Sequence, residues 1–184
     1  MAILGNNTNE VSALEISDII SGSIFTAAES GEVTKISAYI SMVAAPFTNL
    51  GVRCAIYNGT ALEAVTNEVV MLANATVAWY DFTFASNPSI VNGVAYTLSA
   101  WADLGPSPDV AQIYSDTTAN LRRWMGHTYL GNTFPDPASW TTDDGNCAIY
   151  ATYTPAPATG GGPIGMPRGH RNFGGWWRWW EWRM

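Results

Sequence analysis

The sequence predicts an all-β protein, an antiparallel β-sandwich followed by an extended C-terminal tail rich in glycine and tryptophan. Between residues 23 and 154, short runs of β-branched and aromatic residues alternate with glycine, asparagine and proline turns, which is typical of a sandwich or barrel. Segments with the 3.6-residue period of a helix are nearly absent there. Composition changes abruptly after residue 154, where the predicted domain ends.

The low charge content and the length of the chain limit the classes of protein to which it can belong. Only 12% of the 184 residues are charged, about half of the roughly 25% found in ordinary globular domains. With 47% hydrophobic residues, the chain is not expected to be a solvated disordered one. No apolar run approaches the roughly 18 residues of a transmembrane helix. The length fits one domain with a full core.

The charge is distributed unevenly along the chain. The net charge is −7, but residues 155–184 carry four arginines and one glutamate, a net +3, which leaves −10 for residues 1–154. An acidic body argues against duplex nucleic acid as a partner, because binding phosphates requires a basic surface. The body and the tail therefore present two different surfaces.

Two runs show the strict alternation of a strand, in which successive side chains point to opposite faces. In 33–43 the inward set is Ile36, Ala38, Ile40 and Met42, and the outward set is Lys35, Ser37, Tyr39 and Ser41. In 77–84 the inward set is Tyr80, Phe82 and Phe84, and Trp79 points outward or onto a neighbour. Each run is therefore expected to have one face in the core.

The other strands are less regular. They are predicted at 52–57, 68–72, 94–101, 111–115 and 146–154. The first ends at Asn58-Gly59, a strong turn signal, but residues 60–63 favour a loop over a tight hairpin return. Residues 117–145 mix aromatic, charged and turn residues, and we expect a long and mostly irregular excursion there.

The final strand contains Cys147-Ala-Ile-Tyr150, which repeats the Cys54-Ala-Ile-Tyr57 of an earlier strand. We expect both to be core strands with cysteine and isoleucine on one side and alanine and tyrosine on the other. A disulfide between the two cysteines is conceivable if the strands are neighbours, but a buried free thiol is the commoner state outside oxidising compartments. Their spacing does not match a zinc site.

The chain is predicted to comprise four parts: an N-terminal arm (1–16), a β-sandwich domain (17–154), a Pro/Gly linker (155–163) and a C-terminal anchor (164–184). The linker is expected to be extended at first and then flexible. The N-terminus lacks a basic region followed by a long apolar stretch, so it does not resemble a secretory signal.

The residue types that usually carry catalysis do not form a recognisable motif. The only histidines are His127 and His170, and nucleophile-elbow, metalloprotease, phosphate-loop and dinucleotide motifs are absent. A glycosidase needs two converging carboxylates, for which the loops offer Asp103, Asp109, Asp116 and Asp136. Residues 142–146 could supply oxygens to calcium but lack the spacing of a defined calcium loop. We therefore expect no catalytic residue, no metal and no cofactor.

Aromatic residues cluster in and beside the loops from 101 to 145. These candidates for glycan binding are Trp101, Tyr114, Trp124, Tyr129 and Trp140. Exposed rings could stack on the apolar faces of sugars while nearby aspartate and asparagine bond the hydroxyls. The alternative is that the rings form a satellite cluster under a long loop.

The C-terminal anchor is the most distinctive segment, because it contains five of the nine tryptophans in one stretch of seven residues, 176–182. The residues expected to anchor a partner are Arg171, Phe173, Trp176, Trp177, Arg178, Trp179, Trp180 and Trp182. Left in solvent, this segment would be an aggregation liability. Tryptophan and arginine are enriched at binding hot spots, and a flexible linker lets such a segment reach another subunit.

The composition of the anchor is compatible with four kinds of contact. Insertion into a membrane interface fits tryptophan plus arginine, but the acidic body would be repelled by anionic lipid. Stacking on single-stranded nucleic acid fits chemically, although a net +3 charge gives weak affinity. The segment could also fold back onto its own sandwich. We expect docking onto a neighbouring subunit or a larger assembly.

Several segments carry a resemblance to a known family. They are 30–40, 52–57, 79–84, 93–101, 134–142 and 149–154. Together, residues 17–154 resemble the jelly-roll β-sandwich modules, similar to carbohydrate-binding modules, that recur in phage virion proteins and microbial surface proteins. The resemblance implies a jelly-roll-like sandwich, and because its motifs are mostly packing residues it implies no particular site residue.

Two functions are compatible with these expectations. The first is a virion structural protein, such as a head decoration, head-fibre or minor capsid component, whose tail locks into the shell in an oligomeric or assembly-bound state. The alternative is a glycan-binding or adhesion module, secreted with its leader removed or displayed on a particle or cell surface.

Overall fold

The computed structural model describes residues 1–43, 49–73, 75–103, 110–129 and 133–157, and these form two antiparallel β-sheets without an α-helix. The predicted all-β sandwich is confirmed. The strands are β1 Ala2–Gly5, β2 Ser12–Glu15, β3 Ile19–Thr26, β4 Gly31–Val43, β5 Leu50–Asn58, β6 Ala61–Val65, β7 Val69–Met71, β8 Ala78–Thr83, β9 Ser89–Ile90, β10 Ala95–Ala102, β11 Val110–Ser115, β12 Arg122–Gly126, β13 Thr141–Asp143 and β14 Ile149–Pro155.

The two sheets are linked by a jelly-roll strand order. Sheet A contains, in spatial order, β1-β14-β4-β11-β2, with β8 and β9 also paired to β4. Sheet B contains β13-β12-β3-β10-β5-β6, with β7 also paired to β5. Eight strands follow the jelly-roll pattern, β1-β14-β4-β8 in one sheet and β3-β10-β5-β6 in the other. Along these eight, the chain changes sheet at nearly every step, which ties the two layers together.

The main core lies between the inner faces of the two sheets. The two alternating runs have the predicted orientation, since Ile36 and Ile40 of β4 and Phe82 of β8 are fully buried in this core. Sheet B contributes residues such as Ile56 of β5 and Leu98 of β10. The outward residues of β4 and β8 consequently share the outer face of sheet A.

A second apolar cluster lies on the outer face of sheet B. The chain between β12 and β13 crosses this face, and its described residues, 127–129 and 133–140, are called the covering segment below. Phe134 of this segment packs against Tyr57 of β5 and Trp101 of β10, with ring centroids 6.4 and 5.0 Å apart, respectively. Sheet B is therefore packed on both faces in this region, which explains why this irregular stretch is rich in aromatic residues.

The turn after β5 differs from its prediction. β5 and β6 pair with Asn58 opposite Ala61, so that Gly59 and Thr60 form a two-residue hairpin turn. The expectation of a loop over residues 60–63 is therefore wrong. Gly59 has a φ of 62°, a left-handed conformation that glycine adopts without strain. The local turn signal was stronger than the weak strand propensity of the residues that follow it.

Residues 1–16, predicted to form an arm, supply two strands of sheet A. β1 pairs with the last strand, placing Ala2 opposite Tyr153, and β2 pairs with β11. Leu4 and Ile16 are buried in the main core. Strands of four residues are too short to show a clear alternation, so the sequence pattern did not reveal them.

The Cys-Ala-Ile-Tyr repeat has the predicted register, with Cys54, Ile56, Cys147 and Ile149 all buried in the main core. Cys54 lies on β5 of sheet B, whereas Cys147 lies two residues before β14 of sheet A, and both are free thiols. Burial raises the pKa of each thiol, so both remain protonated at neutral pH.

The close approach of β3 to β10 gives a prediction for stability. A Cβ placed on Gly22 would lie 2.6 Å from the backbone Cα of Ser99 and would also clash with the Leu98 carbonyl. Gly22→Ala should therefore lower the free energy of unfolding by about 1–3 kcal/mol, measured by urea denaturation.

Gly126→Ala is the matched control, because a Cβ there meets no atom within 4 Å. Its effect should stay within about 0.5 kcal/mol. Equal destabilisation by the two variants would show that the contact between β3 and β10 is not as described.

Candidate functional site

The five predicted loop aromatics do not form one surface. Trp101 lies on the outer face of sheet B and is fully buried beneath the covering segment. Its indole Nε1 donates a hydrogen bond to the His127 carbonyl oxygen at 2.9 Å, and its ring centroid lies 4.4 Å from that of Tyr129. The faces of this indole are therefore occupied by neighbouring side chains of the same chain.

Tyr129 and Trp140 belong to the same cluster. The Tyr129 hydroxyl donates to Glu68 Oε2 at 2.8 Å, and Arg53 Nε lies 3.5 Å from the same oxygen. Burial is the largest cause that raises the pKa of Tyr129, and the hydrogen-bonded Glu68 carboxylate raises it further, so the phenol stays protonated. Trp140 packs edge-on against Tyr57 at 5.0 Å. These contacts fasten the covering segment to sheet B, and a role of these rings in glycan binding stays a prediction.

Trp124 lies apart from that cluster, on strand β12 near the edge of sheet B. Its register partner is Ser21 of β3, and the next pair, Met125 and Ile20, belongs to the cluster on the outer face of sheet B, so the Trp124 side chain projects toward sheet A. The guanidinium carbon of Arg122 lies 5.8 Å from its ring centroid, and the indole Nε1 is buried. The polar end of this indole is thus directed into the protein.

Tyr114 lies on the opposite sheet and reveals a surface that sequence reasoning did not assemble. We define the aromatic face as Tyr39 of β4, Trp79 of β8, Tyr114 of β11 and Tyr150 of β14, on the outer side of sheet A. Ring centroids are 5.0 Å apart for Tyr150 and Trp79, 5.3 Å for Trp79 and Tyr39, and 5.5 Å for Tyr39 and Tyr114. The four partly exposed rings therefore form one continuous run.

Strand register explains why these rings meet. Tyr39 lies directly opposite Trp79 in the β4–β8 pair, and Tyr150 lies opposite Ser37 in the β14–β4 pair. Ser37 has no exposed area, so the larger side chains around it cover the sheet at this point. The alternation of the two runs placed Tyr39 and Trp79 outward, but no local pattern indicated which strands would be their neighbours.

Polar groups border the aromatic face. Lys35 Nζ lies 2.6 Å from Asp81 Oδ2, and the Ser37 hydroxyl donates to Asp81 Oδ1 at 2.5 Å. Burial alone would raise the pKa of Asp81, but the hydrogen bonds from Lys35 and Ser37 and the lysine charge outweigh it, and the pKa is lowered. The indole of Trp79 donates to Asn9 Oδ1 at 2.8 Å, which fixes the orientation of that ring.

Three of the four carboxylates that are candidates for a glycosidase lie on separate described segments: Asp103 after β10, Asp116 after β11 and Asp136 in the covering segment. Asp136 Oδ1 accepts from the backbone N–H of Leu62 in β6, which ties the covering segment to sheet B. Asp116 accepts from the backbone N–H and the hydroxyl of Thr118, a local contact two residues along the chain. Asp109 and His170 lie outside the described residues. Within the described ranges, no group of three or more histidine, cysteine, aspartate or glutamate side chains could hold a metal ion.

The residues predicted to anchor a partner, from Arg171 to Trp182, lie outside the described residues, as does the linker beyond Pro157. What the structure shows is the point from which they leave. β14 ends at Pro155, and the Ala156 N–H donates to the Ser30 carbonyl oxygen at 2.8 Å. Among the described residues, no helix is long and apolar enough to cross a membrane.

Comparison with protein-family models finds no match for this chain, and comparison with curated proteins likewise finds none.

The ion pair beside the aromatic face predicts a pH dependence of stability. Because the folded-state pKa of Asp81 is lowered, its stabilising effect is present above the unfolded value of about 3.9 and is lost as the pH falls through the folded value. Asp81→Asn should abolish this part of the acid destabilisation. Since the side chain is 54% exposed, the effect should be below about 1 kcal/mol.

The measurement is urea denaturation between pH 2 and 7, with Lys35→Gln and the double variant completing a mutant cycle. Lys35→Gln should reduce the same acid dependence, and the double variant should add little to either single change. Additive effects would contradict the assigned coupling.

Proposed function

We propose that this protein is a non-enzymatic structural protein of a virion, a head decoration, head-fibre or minor capsid component. Its C-terminal anchor docks onto a neighbouring subunit or onto the shell. The observation that carries the proposal is the concentration of tryptophan and arginine at 176–183, behind a Pro/Gly linker. Such a segment gains most by inserting its rings into a groove of a partner.

The place where the linker leaves the sandwich supports this function. β14 lies inside sheet A, paired with β1 on one side and β4 on the other. An anchor that follows an interior strand transmits load to two neighbouring strands rather than to a loosely held edge. Because Ala2 lies opposite Tyr153, the N-terminal strand begins at the same end of the sandwich. Attachment near this end leaves the opposite end of the sandwich free of the linker.

Charge also favours docking between copies. The body, residues 1–154, carries −10 and the tail, residues 155–184, carries +3. Opposite charges on the anchor and on a neighbouring body steer their encounter and disfavour pairing of two bodies. The acidic bodies would then remain apart while each anchor engages a neighbour or the shell.

Replacing the five tryptophans Trp176, Trp177, Trp179, Trp180 and Trp182 with alanine should abolish co-sedimentation with particles of the encoding virus. Removing residues 164–184 should have the same effect. Thermal unfolding followed by circular dichroism should show an unchanged sandwich in both variants, because the two described hydrophobic clusters are built from residues up to Tyr153.

His170→Ala is the matched control in the same segment, since it leaves every tryptophan in place, and it should sediment with the particle like the wild type. Normal incorporation of the chain shortened to residue 163 would overturn the proposed anchoring.

A second candidate function is a carbohydrate-binding or adhesion module at an extracellular or cell-surface site. The observation that favours it is the aromatic face, which includes the predicted Tyr114. Binding sites combine apolar rings with a few placed polar groups, and the face has both. The two functions are compatible, because a particle protein can present a glycan-binding surface.

A further inference from the structure

We infer that the aromatic face of sheet A is a binding site for a neutral glycan, and this inference rests on the second candidate function. The site consists of Tyr39, Trp79, Tyr114 and Tyr150 together with the polar side chains that border them. It differs from the loop aromatics that the sequence pattern singled out, apart from Tyr114. Its ligand is an extended oligosaccharide that spans more than one ring.

The rings offer several apolar contacts to a chain of sugars. They come from four different strands, successive centroids lie 5.0–5.5 Å apart, and neighbouring ring planes are inclined by 40–61°, so each ring would contact a different part of the ligand. All four side chains are partly exposed, whereas Trp101 on sheet B is fully buried. Aromatic residues offer a large apolar area at a small conformational cost, and rings held on paired strands are already ordered before the ligand arrives.

Polar side chains at the border of the aromatic face are available to hydrogen-bond the hydroxyl groups of a sugar. The ion pair of Lys35 and Asp81 has side chains 32% and 54% exposed, so the ammonium can donate a hydrogen bond to a second partner and the carboxylate can accept one. At the Tyr114 end of the run, Gln112 of β11 lies beside the exposed Glu15 of β2 in the strand register. The hydroxyl of the buried Ser41 of β4 lies 3.1 Å from the Tyr114 hydroxyl and is already used there. A sugar has apolar ring faces and hydroxyl edges, and this arrangement of rings flanked by donors and acceptors is complementary to both.

Charge selects a neutral ligand. On this face the Lys35 ammonium is paired with Asp81, and Glu15 adds a further carboxylate at the border. The whole body of the protein carries −10. Sulfated or uronate-rich glycans would be repelled by this field, and nucleic acid strands would be repelled for the same reason.

The hydrogen bond from Trp79 to Asn9 holds the indole ring in one orientation. Trp79 Nε1 donates to Asn9 Oδ1 at 2.8 Å, so the indole is held by the connection between β1 and β2 as well as by Tyr39 and Tyr150. A ring with one fixed orientation loses less freedom on binding than a free one. Trp79 is therefore expected to contribute most to affinity.

The test is affinity electrophoresis of the full chain in gels that contain a soluble α-glucan, β-glucan or mannan, or a sulfated polysaccharide. At least one neutral polysaccharide should retard the protein, and the sulfated one should not. Trp79→Ala and Tyr150→Ala should each weaken binding at least tenfold. Trp79→Tyr, which keeps a ring, should retain part of it.

Trp140→Ala is the matched control, because it removes a partly buried ring from the covering segment on the other sheet. It should bind like the wild type. Thermal unfolding identifies any variant that fails to fold, and Tyr114→Ala at the end of the run then replaces that variant with the same expected loss.

The outcomes separate this site from the function on which it rests. Binding that is lost in Trp140→Ala but kept in the aromatic-face variants would overturn the site and leave the glycan-binding function standing. Failure of every neutral polysaccharide to retard the full chain would overturn both. Retardation only by the sulfated polysaccharide would overturn the assignment of a neutral ligand.

Discussion

The structure depends on one long strand, β4, whose alternation separates the core from the outer surface. Its thirteen residues pair with β14, β11, β8 and β9. Ile36, Ala38 and Ile40 have no exposed area, so a slip of one residue would put polar side chains into the core. This constraint fixes the register of the neighbouring strands. It therefore also determines which outward side chains meet around Tyr39.

The outer faces of the two sheets differ in whether another part of the chain covers them. Sheet B is packed by the covering segment, which buries Trp101 and hydrogen-bonds the Tyr57 hydroxyl to the Pro135 carbonyl oxygen at 3.0 Å. Sheet A keeps a run of partly exposed rings, fixed by one another and by Asn9. Three of the aromatic residues predicted to bind a glycan, Trp101, Tyr129 and Trp140, thus pack in the cluster on the outer face of sheet B. The aromatic residues that remain partly exposed as one run lie on the other sheet.

The arrangement of the two sheets explains why the protein has few charged residues and why these are unevenly distributed. A sandwich whose inner faces are apolar and whose outer faces carry serine, threonine and aromatic side chains needs few ionic groups for folding. Most of its charges are acidic and belong to the body, whereas half of the basic residues lie in the C-terminal anchor. The proposed functions use these surfaces separately, with the anchor for attachment and the outer face of sheet A for recognition.

The sequence by itself determined the fold class, the longer strands and the in–out orientation of residues such as Ile36, Phe82 and Trp79. These features follow from local alternation, which a single strand displays without its neighbours. Only the tertiary structure decided that residues 1–16 contribute strands, that residue 60 closes a hairpin and that Trp101 is buried. It also decided that Tyr150 meets Trp79. The reason is physical: strand pairing joins residues far apart in the chain, and its energy comes from contacts that no local pattern contains.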